Sequence, residues 1–152
     1  MTIREATMAD LDQVEALALR IGMESEPQRG VTVDAAHIRT VIAGCLENPM
    51  ACGMLADDDG EIVGMCGLVL YTHPVSAALK AGEICWWVNP EARSGRVGLQ
   101  LLAAAERWAE SHGAESIQMT SADPKIHRVL ARRNYESTET VYERILTCHH
   151  CS

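Results

Sequence analysis

A chain of 152 residues with 47% hydrophobic side chains has the length of one domain and can bury a sizeable core, so no second domain is needed. Its formal net charge of −8 excludes non-specific nucleic-acid binding, which needs a basic surface to displace counterions, and suits a cationic substrate. No apolar run reaches the roughly 18 residues of a membrane span, and no basic segment followed by a hydrophobic stretch opens the chain, so a soluble cytoplasmic protein is expected.

Taken in chain order, Ile3 to Glu5 reads as a short strand. Thr7-x-x-Asp10 is a helix start signal, and Leu11, Val14, Leu17, Ala18 and Ile21 follow at helical spacing. Gly22 to Thr32 reads as a polar connection that carries Glu24 and Glu26. Ile38, Val41, Ile42, Cys45 and Leu46 give a second amphipathic helix after Asp34. Two strands, at about 51–56 and 61–71, flank Asp57-Asp58-Asp59-Gly60, a hairpin signal of the Asp-Gly type. A loop over 72–80 leads to a strand over 82–88. The next helix buries a stripe of Val97, Leu101, Ala104, Ala105 and Trp108 and ends at Gly113. A strand near 116–120, a helix near 124–133 and an alternating strand near 138–146 complete the pattern.

Phe is absent, so the core is expected from aliphatic residues and Met with three Trp and three Tyr. Of six cysteines, Cys45, Cys52, Cys66 and Cys85 lie inside apolar runs and read as buried free thiols. Cys148-His149-His150-Cys151 sets four metal-capable side chains in succession. Adjacent ligands do not readily all face one tetrahedral ion, so residues 148–152 read as a tail beyond a domain of residues 1–147, and no metal is expected.

The most informative stretch runs from Glu83 to Leu102, where an apolar strand passes through an Arg/Gly-rich turn into an amphipathic helix. A helix N-terminus presents unpaired backbone N–H groups and the positive end of the macrodipole, and Arg93 and Arg96 add formal charge, so an anionic group is expected there. Lys125, Arg128 and Arg132 form a second basic stripe, on one face of the last helix, with Arg128 a weaker candidate for phosphate contact.

The pattern resembles the GNAT superfamily of acyl-CoA-dependent N-acetyltransferases, in which Asp/Asn-Pro-Glu is followed by Arg/Gln-x-x-Gly-x-Gly/Ala. Here Asn89-Pro90-Glu91 precedes Arg93-Ser94-Gly95-Arg96-Val97-Gly98. Arg96 stands at the first glycine of the family pattern, with Gly95 one position earlier. Ile3 to Asp10 is similar to the family's opening. Asp123 to Tyr135 is similar to Asn-x-x-Ala-x-x-x-Tyr-x-x-x-Gly-Phe, with Asp123 at the Asn, Leu130 at the Tyr and Asn134-Tyr135 at Gly-Phe. The resemblance implies an α/β (α+β) fold: one mixed, centrally splayed sheet of about six to seven strands with helices on both faces. It further implies acetyl-CoA as co-substrate, with the pantetheine arm near Trp87 and Val88 and the pyrophosphate on the backbone of Arg93, Ser94, Gly95, Arg96, Val97 and Gly98.

Acetyl transfer to an amine needs a held thioester, a free amine and a proton for the departing thiolate. Glu83 is the base candidate, because a carboxylate in a strand otherwise reading Ile-Cys-Trp-Trp-Val must reach a cleft or incur a burial penalty. The alternative is a solvated residue at the strand start, since one step of register turns it to the other face. Leu130 replaces the tyrosine that often supplies the proton in the family. His127, Tyr135 and Tyr142 are candidates in its place, and water suffices for a thiol-like group. The expected acceptor is a small-molecule or peptide amine, with a homodimer open as the assembly. Two other readings are an acyl-CoA-binding module without activity and a doubly wound nucleotide-binding protein. The latter lacks Gly-x-x-x-x-Gly-Lys-Ser/Thr and Gly-x-Gly-x-x-Gly.

Overall fold

Strands β1 (Thr2–Glu5), β2 (Ala51–Asp58), β3 (Glu61–Thr72), β4 (Leu79–Val88) and β5 (Ser116–Gln118) form one sheet in that spatial order. The first four are antiparallel, and β4–β5 is parallel. Helices α1 (Leu11–Ser25) and α2 (Ala35–Glu47) connect β1 to β2, α3 (Val97–Ser111) connects β4 to β5, and α4 (Pro124–Ala131) follows. This computed structural model describes residues 1–25, 31–93, 96–144 and 146. The chain divides into two units, Met1–Met119 and Thr120–Ser152.

Local chemistry sets the element ends. The two-residue loop between β2 and β3 has φ of 54° at Asp59 and 95° at Gly60, the pair of positive values of a type I′ hairpin turn, and Asp57 Oδ1 accepts the Gly60 N–H at 2.8 Å. Thr7 and Asp10 form a capping box, with the Thr7 N–H donating to Asp10 Oδ2 at 2.8 Å. Asp34 caps α2 by accepting the His37 N–H at 3.0 Å. Gly113, at φ 80°, ends α3.

Each face of the sheet carries its own apolar cluster. On one face Leu68, Cys66, Ala81 and Val88 pack with Leu101, Ala105 and Trp108 of α3; on the other Leu55, Ile62 and Met65 pack with Val14 and Leu17 of α1. The expected α3 stripe of Val97, Leu101, Ala104, Ala105 and Trp108 is buried throughout. A Cβ at Gly64 would meet Leu101 Cδ1 at 3.1 Å and the Trp87 carbonyl at 3.0 Å, so a glycine there lets α3 approach the sheet closely.

The second unit contains α4, capped by Asp123, whose side chain accepts the Lys125 N–H at 2.8 Å. The helix ends with Asn134 at φ 63°, and the Tyr135 N–H donates to the Leu130 carbonyl at 3.1 Å. That left-handed conformation explains why a glycine stands at the corresponding position of the family pattern.

Some elements differ from the sequence reading. Helix α1 continues through Ser25 rather than stopping at Gly22, because Ile21 keeps the apolar stripe going and one glycine does not break a packed helix. Strand β4 starts at Leu79 and α4 ends at Ala131. The sheet has five strands where six to seven were expected, since residues 138–144 carry no strand among the described residues. Glu26, Ser94, Gly95 and the Cys148–Cys151 run lie outside the described residues.

Candidate active site

Two β4 features create the candidate site. First, its ladder with β5 ends at Gly82↔Gln118, and beyond that rung its one ladder among the described residues is with β3. Over residues 84–88 that edge offers backbone groups to a ligand that lies along the strand. Second, β4 carries a bulge: Leu68 opposes Glu83 and Gly67 opposes Cys85, leaving Ile84 as the extra residue.

The bulge decides which way each side chain points. Glu83 shares the α3 face with its partner Leu68, as do Trp86 and Val88, whereas Cys85 and Trp87 join the α1 cluster. Without the extra residue, strict alternation would place Cys85 and Trp87 on the α3 face with Glu83. Glu83 is half-buried. Burial first, and then neighbouring negative charge that includes Glu83, pushes the Cys66 thiol up. Burial also raises Cys85 to about 11, with the Gly67 backbone opposing and Glu83 reinforcing.

Beyond Val88 the chain turns through a short 3-10 segment, Pro90–Ala92, into α3. Arg93 is anchored in this turn: its Nε–H donates to the Val88 carbonyl at 2.8 Å and its guanidinium carbon stands 4.4 Å from the Trp87 ring centroid. Arg20 of α1 pairs with Glu91 at 3.6 Å on the other side of the turn. Trp87 Nε1 and Asn89 Oδ1 are buried without a hydrogen-bond partner among the described residues.

At the start of α3, Arg96 is the N-cap and makes no side-chain capping bond. The first helical bond runs from the Gln100 N–H to the Arg96 carbonyl at 2.9 Å, so the amides of Val97, Gly98 and Leu99 have no partner inside the helix. Trp86 braces this turn, donating from Nε1 to the Gly98 carbonyl at 3.1 Å. Trp86 is a contributor that sequence reasoning missed, because its neighbour Trp87 offered the same residue type and only the bulge separates their faces.

A search of protein families matches residues 11–135 to the Acetyltransferase (GNAT) family. The chain belongs to that family. Among curated relatives, the aminoalkylphosphonate N-acetyltransferase of Salmonella typhimurium is 31% identical over 147 residues, covering 95% of this chain and 90% of that protein. The aminoglycoside N(6')-acetyltransferase type 1 of Klebsiella aerogenes is 30% identical over 94 residues, covering 57% of this chain and 60% of that protein. A solved structure of AAC(6')-Iy with a bisubstrate analog, CoA-S-monomethyl-acetylneamine, superposes with a TM-score of 0.75 at 22% identity, covering 97% of this chain and 98% of that one. The GNAT chain is therefore an acetyl-CoA-dependent N-acetyltransferase, and its sheet with helices on both faces is the family's fold. No helix among the described residues is long and apolar enough to cross a membrane.

Proposed function

We propose that this acetyltransferase holds the pantetheine arm of acetyl-CoA along the edge of β4 beyond the end of its ladder with β5 and transfers the acetyl group directly to a small primary amine. The observation that carries this reading is the end of the β4–β5 ladder one residue before Glu83, on a strand that leads into the open first turn of α3. In this reading the backbone at Trp87 and Val88 contacts the arm. The amides from Arg93 through Ser94, Gly95, Arg96 and Val97 to Gly98 hold the pyrophosphate, where the helix dipole favours negative charge. Arg96 supplies the formal charge, while Arg93 acts first by fixing the turn on Val88 and Trp87.

Direct transfer is favoured over an acyl-cysteine intermediate by the state of the thiols. Cys85, on the slot strand, is raised to about 11 and Cys52 to about 12, chiefly by burial, so neither supplies appreciable thiolate at neutral pH. Glu83 takes the ammonium proton directly or through water. A backbone N–H of β4 stabilises the oxyanion, and solvent protonates the thiolate.

The near-full-length likeness to the Salmonella enzyme favours an aminoalkylphosphonate as acceptor. The net charge of −8 favours a second class, the polycationic aminoglycosides of the Klebsiella relative's name. A need for acetyl-CoA favours the cytoplasm as the place of the reaction. Val141, Tyr142 and Leu146, each more than four-fifths exposed, support a homodimer through the C-terminal segment. The deciding experiment follows free thiol release from acetyl-CoA against both amine classes, polyamines and amino acids. Release with one class assigns the acceptor, and none with any amine leaves a binding module without turnover.

A further inference from the structure

Gly82 of β4 and Gln118 of β5 form the last rung of the β4–β5 ladder, and Tyr71 of β3, whose own strand partner is Lys80, lies diagonally next to Gly82 on the same face of the sheet. Neighbouring strands stand about 4.8 Å apart, so a side chain on β3 reaches β5 only by passing over β4. The Tyr71 ring lies over Gly82, where a Cβ would touch it at 3.4 Å from Cε1. The Tyr71 hydroxyl crosses it and donates to Oε1 of Gln118. Three strands are thereby clipped together at the place where two of them part. Glu83, the next residue of β4, points to the opposite face.

We propose that Tyr71 is a positioning residue for the acetyl donor: its bond to Gln118 fixes the apex of the β4–β5 gap and so the depth to which the pantetheine arm enters. The inference rests on the reading that the arm occupies this gap. A parallel ladder of three rungs is short, and its last rung is where opening would propagate. The clip stops that opening at Gly82. One residue of further opening would move the end of the gap by about 3.3 Å, enough to take the thioester out of register with the bulge at Ile84.

Calorimetric titration of the full chain separates the arm from the rest of the donor and needs no acceptor. Acetyl-CoA and 3′-phosphoadenosine 5′-diphosphate, which keeps the pyrophosphate and lacks the arm, are titrated into wild type, Tyr71→Phe, Gln118→Leu and Gln118→Glu. Tyr71→Phe and Gln118→Leu should each weaken acetyl-CoA about five- to tenfold, the worth of one hydrogen bond, and leave the arm-less nucleotide within about twofold. Gln118→Glu, which keeps an acceptor oxygen, should recover most of what Gln118→Leu loses, and Tyr71→Phe with Gln118→Leu should be no weaker than either alone. Equal weakening of both ligands would assign Tyr71 to general stability and overturn the inference, as would unchanged acetyl-CoA affinity. If wild type binds both ligands equally, the arm makes no contribution and the gap reading falls together with the clip. Should Tyr71→Phe not fold, the two Gln118 variants carry the same comparison.

Discussion

At Asp10, a residue at the start of one helix fastens a strand as well. Its carboxylate takes both terminal nitrogens of Arg4, at 2.7 and 2.9 Å, and the Thr7 N–H and hydroxyl at 2.8 and 3.0 Å, while Arg4 Nε also reaches Asp57 at 2.9 Å. The Arg4 hydrogen bonds hold Asp10 well below the usual carboxylate range, against the opposing effect of burial. A carboxylate whose folded pKa is depressed contributes stability that is fully present above its unfolded value, near 3.9, and is lost as pH falls through the folded one. Asp10→Asn should therefore cost about 2 kcal/mol at neutral pH, less than a fully buried pair because Arg4 is 35% exposed, and should flatten the loss of stability below pH 4. Urea unfolding from pH 2 to 7 measures both effects. The same scale holds the chemistry assigned to Glu83. Glu83→Gln should lower turnover about a hundredfold at neutral pH with little change in acetyl-CoA affinity, and alkaline pH should restore part of it by supplying free amine. Equal pH–rate profiles for the two forms would move the base to another group or to solvent. Thr7-x-x-Asp10 was readable as a cap because a capping box is local, but the ion pair of Asp10 with Arg4 of β1, and of Arg4 with Asp57 of β2, depends on strand pairing. The face of Glu83 was hidden for a related reason: alternation assigns it only if the register is known, and the bulge at Ile84 resets the register.

Among the elements, those with a strong local signal were legible. The Asp59-Gly60 turn needs two positive φ angles and has residues that tolerate them; α3 shows its stripe at a 3.6-residue period and its glycine stop. The segment 138–146 has strand-like alternation, yet alternation alone names a face and no partner, and no strand is assigned over residues 138–144 among the described residues. The brace between β4 and α3 yields a graded prediction. A Cβ at Gly98 would lie 3.6 Å from Trp86 Cζ2, an ordinary contact, so Gly98→Ala should keep acetyl-CoA affinity within about threefold. Gly98→Glu should abolish binding while the fold survives, because a carboxylate in the first turn suits the helix dipole but competes with the phosphate. Circular dichroism and calorimetry on both variants decide it, and tight acetyl-CoA binding by folded Gly98→Glu would place the pyrophosphate elsewhere.

For the whole molecule, an antiparallel sheet extended by one parallel strand is a fold whose outline followed from strand–helix order and whose splay did not. The order β1, two helices, hairpin, β4, α3 and β5 was visible in residue periodicity. The end of the parallel ladder after three rungs is a property of pairing between residues 80–82 and 116–118. Beyond that ending β4 has no second ladder among the described residues, and a ligand laid along this edge would join β4, β3 and the first turn of α3 into one unit. Acetyl-CoA should therefore stabilise the native state without binding the unfolded chain. At a concentration about 100 times its Kd, mass action contributes about 2.7 kcal/mol, which for a domain of this size raises Tm by about 5–10 °C. Thermal unfolding followed by circular dichroism, with and without millimolar acetyl-CoA, reads the shift, and 3′-phosphoadenosine 5′-diphosphate should give a smaller one because it lacks the arm. An unchanged midpoint together with no heat of binding would remove the site from β4 and α3.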